Sequence, residues 1–218
     1  NRGYQAVTLR DDYTLHYFTA ACSATPLRGA GLGAEANGDI FVCEPTGNLV
    51  KRYRIEERPE TARLKASDIR GERDFLTSTH ERFRPVAMTS GPDGTLYIAD
   101  MYRGLIQHRI FLTTFLRKQI EERGLEGPMG LGRIWRVRRE GAPASRPDVD
   151  LAAASLEELA GLLASDNAWV RDSAQRILVE DLDGEAGALA ALRGVIADGA
   201  SPLGAVHALW TLDGVGFI

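Results

Sequence analysis

Over the first 140 positions apolar and polar residues alternate in short runs, and beyond them the period lengthens. Residues 13–21 (YTLHYFTAA) and 39–43 (DIFVC) are rich in aromatic and branched side chains, which predicts two strands. Between them the glycine-rich stretch 27–33 reads as a flexible loop. The turn 44–48 (EPTGN) leads into an alternating strand at 49–55, and a short run at 61–66 completes a four-stranded antiparallel unit. The chain then reaches a hairpin made of strand 84–90, the turn Gly91-Pro92-Asp93-Gly94 and strand 95–99. Proline pre-sets φ, aspartate bonds its own backbone and glycine accepts positive φ, so this turn has a mechanism.

The second β unit repeats the first. Residues 40–44 (IFVCE) match 96–100 (LYIAD), each an apolar strand ending in an acid. The following strand is delayed to 132–138 (GRIWRVR) by an insertion with a helical apolar face at Ile110, Phe111, Phe115, Leu116 and Ile120, closed by Gly124. Repeated units of this size argue for β-propeller blades. Around Glu140 the chain becomes proline-rich and then alanine- and leucine-rich. Ser155 and Glu158 form a capping-box pattern, and helices are expected to about 164 and over 169–180, 185–197 and 202–212. Ser201 and Pro202 suit the start of the last one. The second and fourth helices align 34 positions apart, setting Arg171, Ala174 and Leu178 opposite Ala205, Ala208 and Leu212, as in HEAT-type helix pairs.

The fold class predicted is therefore mixed β and α and multidomain: C-terminal blades of a β-propeller followed by an α-helical HEAT-like solenoid. The expected boundaries are 1–140 for about two blades with a helical insertion near 105–124, 141–150 for a linker, and 151–218 for the start of the repeat array. Two blades cannot close a ring, so the chain reads as an internal piece of a larger protein.

Hydrophobic residues make up 44% of the 218, enough for a core, and the net charge of −4 carries no basic footprint for nucleic acid. No apolar run approaches the roughly 20 residues of a membrane span. Cys22 and Cys43 lie about one hairpin apart. They are either a disulfide, which suits an extracytoplasmic compartment, or two buried thiols. CxxC, CxxCH and HExxH motifs do not occur, which removes a c-type haem or thiolate zinc site from this chain.

Charged residues bracket the central hairpin, with His80, Arg82 and Arg84 before it and Asp100 and Arg103 after it. Strand ends on a rigid sheet present such groups at a rim or mouth. Arg82 and Arg84 either contact a cofactor or substrate or pair with Glu81 and Asp100. Glu44 and Asp100 either bind calcium or a sugar hydroxyl, or cap the turn that follows. His80 is either a solvated loop histidine or a weak candidate base. Tyr102, Arg103 and His108 either line the rim or anchor the insertion. Trp135, Trp169 and Trp210 read as core residues, His207 as a core or interface histidine, and 133–139 as a solvated strand face.

Residues 8–12 (TLRDD), 17–22 (YFTAAC), 41–52 (FVCEPTGNLVKR), 75–86 (FLTSTHERFRPV), 91–109 (GPDGTLYIADMYRGLIQHR), 116–137 and 200–214 together resemble one family. It comprises large bacterial proteins in which a glucose/sorbosone-dehydrogenase-like propeller precedes HEAT repeats, often with a C-terminal c-type cytochrome domain. These proteins are described as membrane-bound dehydrogenases. The resemblance implies pyrroloquinoline quinone (PQQ) and calcium as cofactors, with Arg82, Arg84 and Arg103 toward the quinone carboxylates. It implies a sugar or polyol substrate, a cytochrome c acceptor with its haem in a downstream domain, and a periplasmic location. The alternative, from another functional class, is a non-catalytic propeller–HEAT module that binds glycans or partner proteins.

Overall fold

A computed structural model describes residue 11 and residues 17–61, 63–69, 73–141, 149–182, 184 and 186–217. The expected motif at 8–12 and most of the expected linker lie outside the described residues, apart from Asp11 and the linker's ends. Two compact units are present. The first comprises Asn1–Leu27, Ala36–Thr89 and Leu96–Val137, and the second Arg28–Glu35, Ser90–Thr95 and Arg138–Ile218. The sequence divides the chain once, near 140. The structure also assigns two short loops of the β region to the second unit.

The first unit holds antiparallel sheets. Strands β1 (Cys22–Pro26), β2 (Ile40–Glu44), β3 (Leu49–Arg58) and β4 (Arg63–Asp68) follow one another across one sheet, and β5 (Leu76–Thr77) pairs with β3. A second sheet has the order β6 (Pro85–Ser90), β7 (Leu96–Asp100) and β8 (Arg133–Val137). Phe41, Val50, Leu96 and Ile98 are fully buried, the inward half of the alternation read from the sequence. Phe41 and Phe75 meet edge to face with centroids 4.7 Å apart.

The first strand differs from expectation. Residues 17–21 form no strand, and 13–16 lie outside the described residues. The Thr19 and Ala20 N–H groups donate to the Glu44 carboxylate, so this stretch is tied to a side chain and pairing starts at Cys22. The insertion also differs. His108 caps a single 3-10 turn at Arg109–Phe111, Leu112 is extended, and Thr113 caps α1 (Thr114–Glu122) afresh. Gly124 follows with φ +58°, the left-handed residue that ends the helix.

In the second unit α2 (Leu156–Leu162), α3 (Ala168–Asp181), α4 (Ala186–Asp198) and α5 (Pro202–Gly214) pack around Leu159, Leu163, Leu178, Leu192, Ala208 and Leu212. The Ser155–Glu158 capping box and the Ser201 cap with Pro202 in the first turn are both present. The glycine-rich loop is not slack. Gly31 N–H donates to the Gly94 carbonyl at 3.0 Å, and a Cβ on Gly31 would lie 2.6 Å from that carbonyl. Glycine serves close backbone approach here.

The tryptophans correct the sequence reading. Trp135, Trp169 and Trp210 are 43%, 37% and 62% exposed. Trp135 keeps its indole N–H on a partner, the Asp100 carboxylate at 2.9 Å. Trp169 and Trp210 fall off the buried stripes of α3 and α5, which run through Val170, Ala174 and Leu178 and through Gly204, Ala208 and Leu212.

Candidate functional site

The acids that close β2 and β7 do the same work in both sheets. Glu44 is fully buried and accepts from the N–H groups of Thr19, Ala20 and Thr46 at 2.9–3.1 Å. Asp100 is also buried and accepts from the N–H groups of Arg84 (2.7 Å) and Tyr102 (2.8 Å) and from Trp135. Each acid binds the residue two positions ahead and the chain entering the strand before it. Asp100 continues the buried alternation of Leu96 and Ile98, whereas Glu44 directly follows buried Cys43 and is out of step with its strand; in both, these donors offset the desolvation.

Arg84 is placed between the two acidic turns. Its Nε donates to the Arg103 carbonyl (3.0 Å), Nη1 to the carbonyls of Pro45 (2.6 Å) and Thr46 (3.4 Å), and Nη2 to that of Gly104 (2.9 Å). Burial lowers its pKa, against the upward pull of Glu81 and Asp100. Arg82 donates through Nη2 to the carbonyls of Gly124 (2.9 Å) and Gly127 (2.7 Å), and its Nε is buried with no partner among the described residues. Arg103 donates to the Met129 sulfur at 3.0 Å.

His80 accepts the Arg82 N–H at Nδ1 (3.3 Å), which leaves its Nε2–H to face the Tyr102 hydroxyl at 3.1 Å. The two rings stack with centroids 5.1 Å apart, and the Arg133 guanidinium lies 3.5 Å from the centre of the Tyr102 ring. Tyr102 has φ +47°, a strained value for a bulky residue, and it is held there from both sides. His108 is committed to its cap.

Of these residues Arg84 lines a cleft of about 430 Å³, and His80, Arg82, Arg103, Glu44 and Asp100 do not. The cleft is lined by Arg84, by Thr46 and Asn48 from the β2–β3 turn, and by residues 104–107. Helix α1 and the residues just after it also line the cleft. Phe115, Gln119 and Arg123 recur every fourth residue, so one face of the helix presents a ring, an amide and a guanidinium in a row along the cleft. Arg123 forms an ion pair with Glu81 through Nη1 and donates to the Gln119 amide oxygen through Nη2 at 2.9 Å. The Gln107 amide donates to the Phe111 carbonyl at 3.1 Å. Phe115 is 44% exposed.

The sequence singled out Arg84 and missed Phe115, Gln107, Gln119 and Arg123. The spacing of 115, 119 and 123 within the insertion was the available signal. Among the described residues no group of three or more His, Cys, Asp or Glu side chains converges. No helix among them is long and apolar enough to cross a membrane.

The family described as Domain of unknown function (DUF7133) matches residues 2–141. The chain belongs to that family. No curated protein and no solved structure matches it. The DUF7133 match takes in both sheets, α1 and the whole cleft, and ends where the helices of the second unit have yet to begin.

PQQ and calcium can be set against these positions. Bidentate arginine–carboxylate pairing needs a free fork, but Arg84 directs its whole fork to main-chain carbonyls, Arg82 commits Nη2 to two of them, and Arg103 commits Nη2 to the Met129 sulfur. Calcium needs carboxylate oxygens without competing donors, and both oxygens of Glu44 and of Asp100 accept hydrogen bonds from the protein. As placed, Arg84 does not fit a quinone carboxylate, and Glu44 and Asp100 do not fit calcium.

Proposed function

We propose that this chain is a binding module and that the cleft beneath α1 takes a saccharide. The observation that carries the reading is that Phe115, Gln119 and Arg123 line one cleft together with Glu81 and residues 104–107. A sugar ring offers an apolar face of C–H groups and an edge of hydroxyls that both donate and accept. An exposed aromatic ring suits the first. Gln119, Arg123, Glu81 and Gln107 are engaged with Glu122, with one another and with the Phe111 carbonyl. Sugar hydroxyls, which both donate and accept, would exchange with those contacts. The volume falls within the roughly 300–1,000 Å³ of small-molecule clefts.

On this reading the two sheets are adjacent propeller blades and α2–α5 are HEAT-type helix pairs. The shared carboxylate closure at Glu44 and Asp100, 56 positions apart, supports the first. The 34-residue offset of α3 and α5 supports the second. The quinone-dependent oxidoreductase reading rests on the sequence resemblance, and it would require Arg82 and Arg84 to release their carbonyls. A periplasmic location and a cytochrome partner belong with that reading.

Ligand-observed saturation-transfer NMR on the full chain separates the two, using a panel of neutral and acidic mono- to trisaccharides and, separately, PQQ with calcium. Transfer to at least one saccharide is expected. Transfer to PQQ alone would overturn the module reading.

A further inference from the structure

We propose that Cys22 and Cys43 are a redox-active pair, able to close a cross-strand disulfide within the first sheet. The inference does not depend on the cleft, which neither residue lines.

Both cysteines are thiols in this structure, Cys22 half-buried and Cys43 fully buried. They are direct partners across the antiparallel β1–β2 pair. Residues so placed have Cα atoms about 4.5–5.5 Å apart, inside the roughly 4.4–6.8 Å that a disulfide spans. Their side chains leave the same face of the sheet, since cross-strand partners do. The strand is also adaptable at this point. The register shifts between Cys22 and Thr25, and Ser23 takes φ +49°. An irregularity beside Cys22 lets its Cα and Sγ move without disturbing the pairs Thr25–Phe41 and Pro26–Ile40. In the reduced protein the Cys22 thiol rests 3.5 Å from the Val86 carbonyl, a weak hydrogen bond that is easily given up.

The chemistry needs an oxidant, and a small-molecule disulfide such as oxidised glutathione supplies it. The Cys22 thiolate, the accessible one, attacks one glutathione sulfur. A mixed disulfide forms and one glutathione thiolate leaves. The Cys43 thiolate then attacks the Cys22 sulfur, forming the Cys22–Cys43 bond and expelling the second glutathione. Two electrons pass from the cysteine pair to the oxidant, and the two thiol protons end on the glutathione thiols. Burial raises the pKa of both cysteines, that of Cys43 to about 12, so closure at neutral pH is slow and quickens as pH rises.

The full chain would be incubated with oxidised glutathione at pH 8.5, then denatured, alkylated and weighed, beside Cys43→Ser. The wild type is expected to lose about 2 Da, resist alkylation and regain both thiols with dithiothreitol. Its melting temperature should rise by on the order of 5–10 °C over the reduced form. Cys43→Ser, with no partner for Cys22, should stop at the glutathione adduct. Alkylation of both thiols in the treated wild type would overturn the proposal, as would a stable glutathione adduct on Cys22 of the wild type.

Discussion

An arginine side chain holds its N–H groups in a fixed planar fork. Arg84 directs that fork to four main-chain carbonyls drawn from two separate turns, residues 45–46 and 103–104. Its own N–H is held by Asp100. Removing the side chain leaves several partly buried carbonyls without donors, and each charged hydrogen bond is worth about 1.5–3 kcal/mol. Arg84→Ala should therefore destabilise the first unit by about 3 kcal/mol or more in urea denaturation, and Arg84→Lys should recover only part of that. A loss below about 1 kcal/mol would show that the fork is not structural. The sequence marked Arg84 because arginine, histidine and acids cluster at the hairpin ends. It could not show what the fork meets, because carbonyls have no sequence signature. Glu44 and Asp100 were more legible: an acid ending an apolar strand, followed by a turn, left capping as one of two open readings.

At the scale of elements, periodicity located most strands and all four helices of the second unit. It failed where a side chain replaced a backbone partner, as Glu44 does for residues 19–20, and where caps divided the insertion at His108 and Thr113. Glycines in sequence also look alike whether they give mobility or proximity. Gly31 gives proximity, so Gly31→Ala should cost about 1–3 kcal/mol by forcing apart the 28–33 loop and the 91–94 turn. A neutral result in thermal melts would mean that the loop yields freely.

Helices α3 and α5 carry a pH-sensitive contact. His207 is held by Gln175 at 2.6 Å, with Asp172, Arg171 and Arg28 around it. Burial first, then the charges of Arg171 and Arg28, lower its pKa, against the opposing pull of Asp172. The unfolded chain thus binds the proton more readily than the folded one. Stability is complete above about pH 6.5 and declines as pH falls below it. Denaturation midpoints should drop between pH 7 and pH 5, and His207→Gln should flatten that drop. An unchanged slope in the variant would assign the acid sensitivity to other groups.

For the molecule as a whole, the passage from strands to helices beyond about 140 was legible from the change of period, and the family match covers residues 2–141. The cleft was not legible, because its walls come from residues 46–48, 81–84, 104–107 and 115–125, which only the fold gathers. Its proposed ligand is a saccharide. The most direct test is calorimetric titration of the full chain with the saccharide that binds best, alongside Phe115→Ala in the cleft and Trp210→Ala on the exposed face of α5. An aromatic stacking partner is worth about 1.4 kcal/mol, a factor of ten in Kd. At least tenfold weaker binding is expected for Phe115→Ala and unchanged binding for Trp210→Ala. Equal affinity in the wild type and Phe115→Ala would place the saccharide elsewhere and contradict that expectation.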